Sequence, residues 1–108
     1  MSILEAGILV VFITIPRNKG STLASKILER KLAACINILP VKSIYWWKNK
    51  LEEDEEELLI IKTTITRFEE LIEEVKKHHP YEVPEIIAFP ITACNTEYCN
   101  WIRKETSK

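Results

Sequence analysis

Ile8-Leu9-Val10-Val11-Phe12-Ile13-Thr14-Ile15 is an eight-residue run closed by Pro16. It is almost wholly apolar and rich in β-branched residues. A strand without polar alternation has to be covered on both faces, so it reads as a central strand with parallel neighbours. Asn18 or Ser21 can cap a helix beyond it. There Ala24, Ile27, Leu28 and Leu32 recur at helical spacing between Lys26, Glu29 and Arg30. That helix is expected to end near Ala33-Ala34. A second strand runs from Cys35 to Trp47 with a break at Pro40. Lys48-Asn49-Lys50 suits a turn but lacks the Asn-Gly signature of a tight hairpin. The chain returns through the acidic run Glu52-Glu53-Asp54-Glu55-Glu56-Glu57 into Leu58-Leu59-Ile60-Ile61-Lys62-Thr63-Thr64, an antiparallel hairpin.

Beyond the hairpin, Thr66-Arg67-Phe68-Glu69 has the spacing of a capping box. Phe68, Leu71, Ile72 and Val75 form the apolar stripe of a second helix. Lys76, Lys77, His78 and His79 complement its C-terminal dipole, and Pro80 stops it. Pro84 precedes a last core strand from Glu85 to Ile91, with Pro90 marking an edge or a terminus. Asn95 or Thr96 caps a final helix carrying Tyr98, Trp101 and Ile102. The order β-α-β-β-α-β-α, with two right-handed crossovers sharing one hairpin, is an α+β, ferredoxin-like split β-α-β sandwich with an added C-terminal helix. At 108 residues, chain 1–108 reads as a single domain.

Composition narrows the function. The net charge is −1, which gives no drive toward nucleic acid or an acidic membrane. The glycines are Gly7 and Gly20, so no glycine-rich phosphate loop can form. Asp54 is the one aspartate, which leaves a Ser/His/Asp triad and an EF-hand loop without their parts. Cys35, Cys94 and Cys99 are an odd set, read as free thiols in a reducing compartment. The first basic residue is Arg17, and the apolar run from Ile8 is far shorter than the ~20 residues a membrane span needs. The expected location is cytoplasmic.

Four strings then converge: Lys31-Leu32-Ala33-Ala34-Cys35-Ile36-Asn37, Ser43-Ile44-Tyr45-Trp46-Trp47-Lys48-Asn49-Lys50, Ile61-Lys62-Thr63, and His78-His79-Pro80-Tyr81-Glu82-Val83-Pro84-Glu85-Ile86-Ile87. In this order and spacing, from about Ile8 to Ile102, the chain resembles the CutA divalent-cation tolerance family. The resemblance implies a tight homotrimer built like the PII signalling proteins, with no established catalytic activity. It also implies a role in tolerance of copper and other divalent metals.

The resemblance makes His78 and His79 candidate copper ligands, with Cys35 as a soft thiolate. The family site often adds a cysteine on the first strand, where this chain has Ile13. Adjacent histidines at a helix end diverge by about 100°, so the alternative is a C-terminal charge plus one packed histidine. Cys35 can equally be a small buried hydrophobe. Cys94 and Cys99, spaced C-x4-C without a second pair, do not make a structural zinc site. The acidic run is either a weak site for hard cations or a solvated arm that discourages edge pairing. At Glu57 relatives carry a small apolar residue, so an inward-facing carboxylate there needs a partner, for example a lysine. Lys62, Tyr81 and Glu85 either line a small-anion cleft between subunits or form an interfacial ion-pair network. Tyr45, Trp46 and Trp47 on the hairpin arm are expected to pack against another subunit.

The leading reading is therefore a non-enzymatic, metal-binding homotrimer responding to divalent metal ions. A PII-like module sensing a small anionic ligand is the alternative, marked by a cleft holding Arg17, Lys62 or Tyr81 from neighbouring chains. An acylphosphatase-like enzyme would use Arg17 but lacks its glycine-rich cradle. An RNA-binding sheet would need stacking aromatics that Leu58-Leu59-Ile60-Ile61-Lys62-Thr63-Thr64 does not have. A heavy-metal-associated domain would need a C-x-x-C pair after the first strand.

Overall fold

A computed structural model of the chain describes residues 7–107. Residues 1–6 and 108, the ends of the expected single domain, lie outside that description. The elements are β1 (Ile8–Pro16), α1 (Gly20–Glu29), β2 (Cys35–Trp47), β3 (Lys50–Thr64), a 3-10 turn (Ile65–Arg67), α2 (Phe68–His78), β4 (Ile86–Pro90) and α3 (Thr96–Thr106). They form the expected α+β ferredoxin-like arrangement. One four-stranded sheet runs in the order β2-β3-β1-β4.

The sheet departs from expectation in one respect. β1 is central, but both its neighbours, β3 and β4, run antiparallel to it. The all-apolar pattern of β1 reports burial on both faces, and two crossovers that each skip a strand give that burial without parallel pairing. β2 and β3 pair along their whole length, from Cys35 opposite Lys62 to Trp47 opposite Lys50. Pro40 does not break β2. It sits on an edge strand, where its missing N–H removes nothing the sheet needs. The acidic run is likewise strand rather than connection, since residues 52–57 are the first half of β3. Lys48 and Asn49 close the hairpin with φ of 50° and 64°. That is the two-residue turn that matches strand twist, made here without glycine. The hairpin projects as an arm and stretches the molecule to 44 × 26 × 21 Å.

One face of the sheet is packed under α1 and α2. Val11 and Ile13 of β1, Leu59 and Ile61 of β3, Leu23 and Ile27 of α1 and Leu71 and Val75 of α2 are completely or almost completely buried. Burying each such side chain contributes about 1.5–3 kcal/mol before entropy is counted. α1 ends at Glu29, four residues before the sequence pattern runs out. The Leu32 amide donates to the Ile27 carbonyl at 3.1 Å and the Lys31 amide to the Leu28 carbonyl at 2.9 Å. With Lys31 at φ 57°, this is a Schellman stop, and Leu32 is the apolar contact that accompanies it. The capping box is not formed either. Thr66 falls inside the 3-10 turn, its hydroxyl 3.1 Å from that of Thr64, and α2 starts without a side-chain cap. The expected cap does form on α3, where the Asn95 side chain accepts from the Glu97 amide at 3.0 Å.

Glu57 faces the helices and finds a partner. Its Oε1 accepts the Gly20 amide at 2.8 Å and so caps α1 from across the sheet. The partner is a backbone N–H rather than a lysine. A Cβ at Gly20 would lie 2.6 Å from that oxygen, so glycine is what lets the helix start approach β3 closely enough.

The cysteines also depart from expectation. Cys94 and Cys99 are paired as a disulfide across Cα atoms 6.5 Å apart, and Cys35 alone is a free thiol. Among the described residues no helix is long and apolar enough to cross a membrane.

Candidate functional site

The second face of the sheet is uncovered along its middle. α3 closes one end, burying Ile8 against Cys99 and Ile102. At the other end the loop 79–85 crosses the strands. Between them lie Val10 and Phe12 of β1, Leu58 and Ile60 of β3 and Ile87 and Phe89 of β4. Their positions face the same side by register, with Phe12 opposite both Ile60 and Ile87. Phe12 and Phe89 pack edge to face with ring centroids 5.2 Å apart, yet Ile87 remains 53% and Phe89 43% exposed. The arm is barer still: Trp46 is 73%, Leu51 63% and Ile44 62% exposed.

A cleft of ≈ 760 Å³ opens where the base of the arm meets the loop 79–85, lined among others by Thr14, Tyr45, Trp47, Glu56, Tyr81 and Glu85. Five of its polar side chains are held by one another or by Asp54. The Tyr81 hydroxyl donates to Glu56 Oε2 at 2.9 Å, and the Thr14 hydroxyl donates to Glu85 Oε1 at 3.3 Å. The Tyr45 hydroxyl donates to Asp54. Burial, then the hydrogen bond to Glu56, pushes the Tyr81 phenol well above its ordinary value. The bond to Asp54 is the largest cause lifting Tyr45 to about 12. Glu56, Glu82 and Glu85 line the cleft and none of its described lining residues is lysine or arginine, so its field favours cations over anions.

His79 fixes the loop. Its Nε2 donates to the Thr14 carbonyl at 2.7 Å and its Nδ1 accepts the Tyr81 amide at 3.1 Å. That pattern assigns a neutral ring protonated on Nε2, with both nitrogens occupied. His79 is thus a buried structural histidine, and a metal would have to displace one of those bonds. His78 points elsewhere and is exposed. Its Nε2 lies 3.0 Å from Glu74 Oε2, while Arg30 donates to Glu74 Oε1 at 2.5 Å. Arg30 first, and His78 second among the hydrogen bonds, hold the Glu74 carboxyl below the usual carboxylate range.

Cys35 stands apart from both histidines. It pairs with Lys62 in register, whereas His79 bonds Thr14, whose partner is Leu58. Four β3 residues separate the two places, about 13 Å along the strand. Lys62 Nζ lies 3.9 Å from Cys35 Sγ and donates to Asn37. The structure therefore brings Tyr81 and Glu85 into one cleft with Tyr45 and Trp47 but leaves Lys62 with Cys35. Ile13 is completely buried in the helix-side core. Among the described residues no three His, Cys, Asp or Glu side chains converge as a metal cage.

Two residues escaped the sequence reading. Glu56 is almost fully buried although it sits in the acidic run. The available signal was its register parity with Leu58 and Ile60. Arg67 is buried, donating to the Arg30 and Lys31 carbonyls at 3.2 and 3.4 Å and to Glu70 at 2.9 Å. No local pattern announces a side chain that caps a helix 36 residues away.

Together these features define a class: a ferredoxin-like α+β chain with a projecting hairpin and a half-bare sheet. The family described as "CutA1 divalent ion tolerance protein" matches residues 9–105. The divalent-cation tolerance protein CutA of Thermus thermophilus is 48% identical over 99 residues, covering 90% of this chain and 96% of its own length. The chloroplastic CutA 1 of Oryza sativa is 47% identical over 100 residues, and this match covers 91% of this chain. The chain spans just over half, 56%, of that rice relative. The crystal structure of CutA1 from Oryza sativa superposes with a TM-score of 0.91 at 44% identity, covering 96% of this chain and 97% of that one. The Thermus thermophilus structure gives 0.90 at 47% identity, covering 93% and 99%. The chain belongs to the CutA1 divalent ion tolerance family.

Proposed function

We propose that this protein is a non-enzymatic, cytoplasmic homotrimer of divalent-metal tolerance that binds metal ions, copper first, rather than transforming a substrate. The family match over residues 9–105 carries the reading. Three chains explain the bare apolar surface. Ile87 and Phe89 on the sheet, beside half-buried Phe12 and Ile60, and Ile44, Trp46 and Leu51 on the arm form more exposed apolar surface than a monomer normally leaves in water. Cyclic association covers sheet and arm together and caps the edge strand β2. Copper follows from ligand softness: His78 offers imidazole at the surface, and copper outranks the other divalent first-row metals at nitrogen ligands.

Calorimetry with copper, magnesium and calcium tests the metal, using wild type and His78→Ala. The reading expects copper tightest and weakened by the substitution. Equal copper affinity in the variant removes His78 from the site. Acyl phosphate hydrolysis abolished by Arg17→Ala would restore an enzyme.

One observation favours a second reading, a PII-like module for a small anion. A pocket of ≈ 270 Å³ beside α1 is lined by Lys19, Lys26, His78, Asn18 and Thr22, with no carboxylate among its lining residues. Inorganic phosphate binding that is lost in Lys19→Ala with Lys26→Ala would support it.

A further inference from the structure

All three cysteines of this chain gather at one helix. Cys94 and Cys99 flank the N-terminal turn of α3, and Cys35 lies within hydrogen-bonding reach of the Tyr98 hydroxyl on that helix. We propose that Cys94 and Cys99 form a reversible dithiol–disulfide centre, reacting with small thiols and disulfides of the glutathione class, that sets how firmly α3 is anchored to the open face of the sheet.

The two sulfurs stand in different surroundings. Cys99 is completely buried, packed with Ile8 and Ile102 in a cluster separate from the main core. Cys94 is half-buried at the rim of that cluster and is the sulfur a small molecule can reach. Between them sits the cap of α3. Asn95 accepts the Glu97 amide on its side chain and the Cys99 amide on its carbonyl at 3.0 Å. The pair therefore closes a covalent loop around the helix start, and its opening frees the turn that the cap organises.

The chemistry balances with a disulfide, RSSR, as oxidant. The Cys94 thiol gives up its proton, its thiolate attacks one sulfur of RSSR, and RSH leaves. The Cys99 thiol then loses its proton, attacks the Cys94 sulfur of the mixed disulfide and displaces the second RSH. Two protein thiols and one RSSR become one protein disulfide and two RSH. Reduction runs backward, with the incoming thiolate attacking at Cys94 and Cys99 leaving into the core.

The consequence is positional. Among the described residues α3 is the helix that closes the open face, packing on β1 and β3. Ile8, buried beneath it, continues the half-buried row of Val10 and Phe12 on β1. Loosening α3 extends that row. The inference concerns the protomer and does not require the proposed trimer or its metal.

The test uses the full chain equilibrated in oxidised or reduced glutathione buffers, acid-quenched and denatured. Thiol counting is expected to give one thiol after oxidation and three after reduction, with peptide mapping assigning the bridge to Cys94 and Cys99. Hydrogen exchange of the Cys99 and Asn100 amides is expected to be about tenfold faster in the reduced protein. Cys94→Ser, at the half-exposed position, is expected to exchange at the fast rate in both buffers, and Cys35→Ser to keep the difference. Three free thiols in oxidised glutathione, a bridge that uses Cys35, or exchange rates equal within about twofold in the two buffers would each overturn the proposal.

Discussion

The two faces of this sheet are both apolar along their middle and differ in fate. Val11, Ile13, Leu59 and Ile61 point under α1 and α2 and are sealed from water. Their neighbours point the other way: Phe12 and Ile60 are half-buried, and Ile87 and Phe89 are exposed. A chain of this size has one long apolar strand and too few helices to cover both sides of it. One face is completed within the protomer, and the other is completed, on the proposed reading, by further copies. On that reading the same residue types stabilise the fold on one side and an assembly on the other.

The sharpest way to break this contrast is to place a charge on the open face. Phe12→Asp is expected to leave the protomer folded by circular dichroism and to abolish association at micromolar concentration by sedimentation. A central aromatic anchor of an interface is worth about 4–8 kcal/mol at the upper end. Variant and wild type sedimenting alike, whether as trimers or as monomers, would break the division. The counterpart one residue along, Ile13→Ala, is expected to lower chemical-denaturation stability by about 2–5 kcal/mol through transfer and cavity terms. If the Ile13 variant dissociated without losing stability, the two faces would have been assigned the wrong way round.

A finer comparison uses two adjacent carboxylates. Glu57 faces the helices and caps Gly20, whereas Glu56 faces the cleft and accepts Tyr81. Glu57→Ala is expected to cost about 1 kcal/mol of global stability, the scale of a lost helix cap. Glu56→Ala is expected to act locally, speeding hydrogen exchange in the loop 79–85 more than it shifts the denaturation midpoint. Global losses of the same size from both would erase the distinction.

Much of the fold was legible because its signals are local. The apolar run of β1, the stripe Leu71-Val75 and the Asn95 cap each carry their meaning within a few residues. What failed was non-local. Strand direction depends on which crossover skips which strand, and the end of α1 depends on Lys31 adopting a left-handed conformation that its residue type disfavours. The acidic run reads as a connection because charge hides strand periodicity, yet Glu56 and Glu57 alternate faces as any strand pair does. Among the candidate site residues, Tyr81, Glu85, Tyr45 and Trp47 converged on one cleft. Lys62 and Cys35 did not, since register alone puts them toward the opposite end of β3. His79 shows why residue type misleads: its imidazole is used twice by the backbone before any metal could use it.

The smallest expected effect concerns the tyrosines, all of which edge the open side rather than the helix-covered core. Tyr45 bonds Asp54, Tyr81 bonds Glu56, and Tyr98 meets Cys35. Each phenol is raised: Tyr45 chiefly by its bond to Asp54, Tyr81 and Tyr98 chiefly by burial. An unfolded tyrosine loses its proton near pH ~10. For Tyr45, with a folded value of about 12, the contribution to stability is complete below the unfolded value and is lost as pH rises through the folded one. A phenolate absorbance titration of the native protein should therefore lag the same titration in denaturant. Asp54→Asn should bring one phenol back toward ~10 while leaving Tyr81 and Tyr98 high. Arm and cleft are then separable, because Asp54 touches the first and Glu56 the second. A native curve that overlays the denatured one would mean that neither hydroxyl is held in solution. The open face would then be apolar along its middle without the polar rim that orients what docks there.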